Sequence, residues 1–347
     1  MRDHDIATLR HQRSIAAPIH FVGIGLHSGE RVHMSLRPAG ASQGIQLVRR
    51  DLPAGEQRLS VDWTSVRSGQ LCTILVNKFG HQVSTVEHLL SALSALSIDN
   101  VIVELDGPEI PIMDGSAMPF VQALQNAGIV DLGVPREVIV ITRPVCLQQG
   151  ESWARLVPDR RQRITVSIDF DARVIGTQTM SVDLGPSVYC REIAPARTFG
   201  FANQLERLWR QGLALGGSIK NAILVEGDRV ANLEGLRFQD EFVRHKVLDV
   251  IGDLALAGKP IIGRYEGHRP GHQLNTDLIA LLMQDRTAWR TVKFDALEDV
   301  LDEVAESRAA HRPEHAPGAW TPDLKLATSP VKQAVADRVR ALFGTSR

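Results

Sequence analysis

The spacing of apolar residues changes period twice along the chain, and each change repeats. From Ser14 to about Val76 the pattern is short and alternating: Ile19-His-Phe-Val22, Val32-His-Met-Ser-Leu36 and Gly44-Ile-Gln-Leu-Val48 read as strands, and Leu71 to Asn77 as another. The glycines of Gly23-Ile-Gly-Leu-His-Ser-Gly29 mark a turn between strands. That Gly-x-Gly is no dinucleotide loop, because no helix follows it. Helical spacing begins at Thr85 and predicts a helix to about Leu96, with Ser84 as its N-cap and Glu87 completing a capping box. Then come a strand over Asn100–Leu105, a proline-containing loop over 106–115 and a helix over Met118–Asn126.

The same order returns as a helix over 240–257, a strand over Pro260–Tyr265, a loop over Glu266–Gly271 and a helix over His272–Met283. Strands again precede it, at Glu137–Leu147, Trp153–Val157, Ile164–Phe170 and Thr177–Leu184. This is a duplicated α+β architecture, two similar domains each made of a β-sheet with a layer of helices. Residues 14–132 form the first and 133–300 the second, joined near Val130–Pro135, with an insertion over 189–232 where a specificity pocket can sit. Residues 1–13 read as a flexible arm. Residues 301–347 read as a flexible extension, ending in a short amphipathic helix over Val331–Phe343.

Composition narrows the class. Hydrophobic residues make up 44% of 347, enough for a real core, and 39 Lys and Arg against 40 Asp and Glu leave a formal charge of −1. Without a basic excess, nucleic acid is not an expected partner. Cys72, Cys146 and Cys190 lack metal or redox spacing and read as reduced thiols. No apolar run approaches the roughly 20 residues of a membrane span. A cytoplasmic protein is expected.

The candidate chemistry lies on the helix from Glu241. Val243, Val247, Val250, Ile251 and Leu254 gather on one side, and His245, Lys246, Asp249 and Asp253 on the other. His245 and Asp249, one turn apart, can converge on one metal ion, although a solvated charged face has the same spacing. Ser84-Thr-Val-Glu-His-Leu-Leu90 puts Glu87 and His88 on the corresponding helix of the other half. If those helices face each other, two histidines and one aspartate form a site with a position left for water, as in catalytic zinc centres. Glu87 is then a candidate base for that water. Taken singly, His88 also reads as a buried helix histidine and Glu87 as a capping residue. A non-catalytic module that binds a nucleotide or protein partner remains as an alternative.

Four strings carry a resemblance: Ser84-Thr-Val-Glu-His-Leu-Leu90, Pro108-Glu-Ile-Pro-Ile-Met-Asp-Gly-Ser116, Ala196-Arg-Thr-Phe-Gly-Phe201 and Arg237-Phe-Gln-Asp-Glu-Phe-Val-Arg-His-Lys246. With them the chain resembles UDP-3-O-acyl-N-acetylglucosamine deacetylase, the zinc hydrolase of lipid A and lipopolysaccharide biosynthesis, from about Gly23 to Trp289. The resemblance implies that the two helical layers pack on each other with one Zn2+ between them, held by His88, His245 and Asp249. It implies Glu87 as general base, His272 as general acid oriented by Asp253, Lys246 as a sugar-binding and charge-stabilising group, and Thr198 as a hydrogen-bond donor to the carbonyl oxygen. Phe199 is implied to pack on the substrate, and Arg269 to meet the nucleotide diphosphate. The insertion, with Leu205, Ala214, Ser218, Ile219, Ala222 and Leu224, is implied to form an apolar passage for the acyl chain. A monomer acting on this UDP-sugar, with at most transient contact to a membrane surface, is the expectation; a zinc hydrolase of another acylated amino sugar or small amide is the alternative.

Overall fold

The computed structural model describes residues 10–310 except 68 and 70. The helix expected over Val331–Phe343 lies outside the described residues. The first sheet has five strands in the order Ile19–Ile24, Arg31–Pro38, Val101–Leu105, Ile45–Arg49 and Arg58–Ser60. Alternation sets its inner face: in Arg31–Pro38, Val32, Met34 and Leu36 are buried while the residues between them are not. The second sheet has seven strands, along the path Val145–Gln149, Ser152–Val157, Ile261–His268, Glu137–Ile141 and Trp289–Lys293. Gln162–Asp169 also pairs with Ile261–His268 and carries Thr177–Asp183.

The duplication predicted from periodicity is present in both sheets. In each half the strand that follows the first helix, Val101–Leu105 or Ile261–His268, lies inside its sheet, pairing antiparallel on one side and parallel on another. The longer helices are α1 (Glu87–Ala95), α2 (Met118–Ala127), α3 (Ala202–Arg210), α4 (Glu241–Leu254), α5 (His272–Gln284) and α6 (Leu297–Ala310). α1 packs directly on α4, so the molecule is a β-α-α-β sandwich whose apolar core spans both halves. The two helices meet backbone to backbone: a Cβ built on Gly252 would lie 2.1 Å from the carbonyl oxygen of Glu87. Only glycine permits this approach.

Several expectations change. His11–Ile15 is no loose arm but a strand paired with Ile129–Pro135, so the expected joint between halves is itself sheet. Ile15 is fully buried there, and the Ala39 N–H donates to Ser14 Oγ at 3.0 Å. The chain beyond residue 300 continues as helix to Ala310, because Leu297 and Leu301 cover Val138, Val140 and Val292 on the outer face of the second sheet. Trp289–Lys293 escaped the sequence reading because only Trp289 and Val292 turn inward. The strand expected to stop at Tyr265 runs on to His268.

The capping box also fails. α1 begins at Glu87, two residues later than expected, because Thr85 takes a left-handed backbone with φ 57°. That turn separates Ser84 from the helix, and the Ser84 hydroxyl donates instead to the Pro108 carbonyl. The Thr85 conformation costs on the order of 1–3 kcal/mol. It is held by the Thr85 hydroxyl donating to buried Glu109 at 2.9 Å.

Candidate metal centre

The face where α1 meets α4 carries His88, His245 and Asp249, all buried, with ligand atoms within 4.8 Å of one another. His245 Nε2 lies 3.4 Å and His88 Nε2 3.9 Å from Asp249 Oδ1. The His245 Nδ1–H points at the Ala196 carbonyl at 3.1 Å, which leaves the Nε2 lone pair facing that carboxylate oxygen. Asp249 Oδ1 is buried and has no hydrogen-bond partner. Burial, then neighbouring His245, push the His88 imidazole down to about 3, so it too is neutral. Asp249 is held far below the usual carboxylate range, the effect of burial being outweighed by Lys246 and His245. Two imidazole lone pairs and an unpartnered carboxylate oxygen converging in a buried site repel one another unless a cation lies between them. This donor set fits a divalent metal of the zinc type.

A second array adjoins the first. Glu87, buried beside His88, accepts the Thr73 N–H at 3.1 Å, and its Oε1 lies 3.9 Å from His272 Nε2. Burial raises the Glu87 carboxyl to about 7, against the opposing effect of His272. His272 opens α5, where the helix dipole disfavours a positive charge. Burial disfavours it as well, yet Asp253 and Glu87 raise the imidazolium to about 9. The reason is geometric: His272 Nδ1 lies 3.0 Å from Asp253 Oδ2. Asp253 is fixed in turn, accepting from Thr73 Oγ1 at 2.6 Å and from Asn275 Nδ2 at 2.8 Å, with Tyr265 donating to Asn275 Oδ1 at 2.6 Å.

Comparison with known proteins bears on what such an array belongs to. The family model described as UDP-3-O-acyl N-acetylglycosamine deacetylase matches residues 12–284. A UDP-3-O-acyl-N-acetylglucosamine deacetylase of Vibrio parahaemolyticus serotype O3:K6 is 46% identical over 296 residues, 85% of this chain and 96% of the relative. One of Phenylobacterium zucineum is 44% identical over 293 residues, covering 84% of this chain and 99% of the relative. The chain belongs to the UDP-3-O-acyl N-acetylglycosamine deacetylase family.

Within this deacetylase-family chain, the remaining residues singled out in the sequence spread around the metal centre. Lys246 Nζ donates to Asp249 Oδ2 at 2.6 Å. Thr198 follows two residues after the Ala196 carbonyl that orients His245, and its own N–H donates to Gly115 O at 2.8 Å. The Phe199 ring stands edge-on to His245 with centroids 6.4 Å apart. The insertion is a β-α-β unit: Phe199–Phe201 leads into α3 and pairs in parallel with Ile223–Glu226. Leu205, Ala214, Ala222 and Leu224 are half-buried in it, while Ser218 and Ile219 are exposed. Arg269 is bound up elsewhere, in ion pairs with Glu151 at 2.6 Å and Asp169 at 2.5 Å. A cleft of about 530 Å³ opens between the halves beside Ser94, Ile98, Leu254 and Ala255, at the far ends of α1 and α4, and none of the site residues lines it.

A buried ion pair ties the insertion to the metal helix. Arg197 Nε donates to Glu241 Oε1 at 2.9 Å, and the same carboxylate accepts the backbone N–H groups of Arg197 and Arg237 at 3.0 and 2.6 Å. This fixes the first residue of α4 against the segment that contains Ala196, Thr198 and Phe199. Arg197→Ala leaves Glu241, at 0% exposure, without its cation, and should cost about 3–5 kcal/mol in urea or thermal unfolding.

Two residues at the site were absent from the sequence reading. Thr73 holds Glu87 with its N–H and Asp253 with its hydroxyl. The strand expected over Leu71–Asn77 begins only at Ile74, so Thr73 lies in irregular chain ahead of it, and the strand pattern gave it no chemical role. His27 is buried with Nε2 unpartnered, and its backbone N–H donates to Glu109 Oε1 at 2.9 Å. Burial lowers its pKa, Glu109 opposes this, and nearby His272 lowers it further. A histidine set among glycines in a turn was the available signal, since loops carried on a rigid scaffold hold functional groups.

Proposed function

We propose that this chain hydrolyses the acetamide of UDP-3-O-acyl-N-acetylglucosamine to acetate and the free amine, the committed deacetylation of lipid A biosynthesis, with Zn2+ held by His88, His245 and Asp249. The observation that carries the reading is the contact between the convergent triad and the Glu87–His272–Asp253 array, in a chain of the deacetylase family. Zinc at such a site supplies Lewis-acid polarisation of a carbonyl and acidifies water.

The side chains divide the proton work. Glu87, raised to about 7 by burial, takes the proton of the attacking water; a neighbouring divalent cation favours its ionised form. The amine leaves only after protonation, and His272, held as imidazolium by Asp253 with its pKa near 9, carries the proton for it. The ammonium of Lys246 and the hydroxyl of Thr198 stabilise the oxygen that becomes negative. Phe199 packs on the sugar or acyl group beside His245. Arg269 meets the nucleotide diphosphate by exchanging Glu151 and Asp169 for phosphate oxygens, a geometry that suits its guanidinium. The two α+β halves, with the strand His11–Ile15 and the helix Leu297–Ala310 packed on them, act together in a cytoplasmic monomer. Among the described residues no helix is long and apolar enough to cross a membrane.

The insertion, with Leu205, Ala214, Ser218, Ile219, Ala222 and Leu224, takes the acyl chain. At about 0.8 kcal/mol per buried methylene, kcat/KM should fall roughly fourfold for each methylene removed from the substrate. Equal rates on short and long chains would remove the assignment. The activity itself is tested by assaying purified protein on the acylated UDP-sugar before and after chelation, with elemental analysis of the same samples. Full activity without metal would overturn the reading.

A further inference from the structure

Four large apolar side chains stand half in water on one side of the molecule: Val22 at 48% exposure, Ile24 at 47%, Trp209 at 51% and Leu215 at 52%. They come from distant parts of the sequence. Val22 and Ile24 are alternate residues of the strand Ile19–Ile24 and share its outer face. The insertion loop lies against them, since a Cβ built on Gly216 would sit 2.9 Å from Ile24 Cγ2. Trp209 joins the same surface by donating its indole N–H to Ala214 O at 3.3 Å, one residue before Leu215. These contacts bring the exposed apolar residues of the first sheet, the insertion loop and the end of α3 next to one another.

Its margin is cationic. Arg31 is the cross-strand neighbour of Ile24, and Arg207 and Lys220 flank the loop on either side. All three are exposed, and among the described residues none enters an ion pair. The acids nearby are Glu30, which is exposed, Glu206, paired with Arg210, and Asp106, paired with His33. An apolar centre that includes an exposed tryptophan, rimmed by unpaired cations, has the chemistry of a surface that enters the headgroup region of an anionic bilayer. Interfaces between proteins instead deplete lysine and carry few charged residues at their core.

We infer that this face, the outer side of Ile19–Ile24 together with the insertion loop, docks the chain on an anionic lipid surface and so presents the insertion to acyl chains that reside there. The inference rests on the acyl-passage reading of the insertion, because a substrate bearing a long acyl chain partitions into bilayers. The patch is small, and docking is accordingly weak and reversible.

The test is co-flotation of the full chain with vesicles of phosphatidylglycerol and phosphatidylcholine, and with vesicles of phosphatidylcholine alone. Binding is expected to the first and to weaken as salt is raised. Val22→Ser with Ile24→Ser should lower the partition coefficient at least roughly tenfold through lost apolar burial. Arg31→Gln should lower it roughly fivefold, the worth of one cation near an anionic surface. Both variants should hydrolyse a soluble, short-chain acyl substrate at the wild-type rate, which distinguishes failure of docking from failure of the proposed activity. No flotation of the wild type, flotation of the double variant at the wild-type level, self-association through this face, or loss of hydrolysis of the soluble substrate in the double variant would overturn the inference.

Discussion

Glu87→Ala should lower kcat about a hundred- to ten-thousandfold and abolish the acidic limb of the pH–rate profile, while the metal content of the protein stays unchanged. The sign follows from the working forms. Glu87 acts ionised, so rate rises as pH rises through its pKa, and burial has brought that pKa up to about 7. Bound cation pulls the limb to lower pH than this. His272 acts protonated, so rate falls as pH rises through a pKa near 9. His272→Ala should therefore remove the alkaline limb and leave the acidic one. In Asp253→Asn the imidazolium loses its chief anionic partner, and the alkaline limb should move to lower pH. A profile in which His272→Ala lost the acidic limb would reverse the acid and base roles, even with the metal confirmed.

His245→Ala should remove the metal. Losing one of three ligands should weaken binding by more than the roughly 10–100-fold that loss of an outer hydrogen-bond partner costs. The readout is metal content after dialysis, independent of turnover. The contrast is Thr73→Val, which removes the hydroxyl that donates to Asp253 and touches no ligand, and should retain the ion. If His245→Ala bound zinc as tightly as the unaltered protein, the triad would not be the metal site.

Legibility in the sequence followed the range of the forces involved. The α4 face was readable because burial and chemistry occupy opposite sides of one helix, and a 3.6-residue repeat reports both. The duplicated order of helix, strand and helix was readable for the same reason. Contacts remote in sequence were not. Nothing near Ser84 says that Thr85 will turn left-handed and dissolve the capping box, because the hydroxyl that holds it bonds to Glu109. The strand His11–Ile15 depends on Ile129–Pro135, more than a hundred residues away. Thr73 shows the same limit at the site, joining Glu87 to Asp253 from a segment whose pattern reads only as strand. Arg269 shows it again: the family resemblance implied a diphosphate contact, while the two carboxylates paired with it are distant in the sequence.

The crossing at Gly252 has a thermodynamic corollary. One ligand comes from α1 and two from α4, so an ion that binds all three binds only when the two halves are docked. Metal occupancy and association of the halves are then linked functions, each raising the equilibrium constant of the other. With free metal a thousandfold above its dissociation constant, the docked state gains about 4 kcal/mol, comparable to the whole stability of a small domain. Scarcity of metal would then limit the lifetime of the folded chain as well as its turnover.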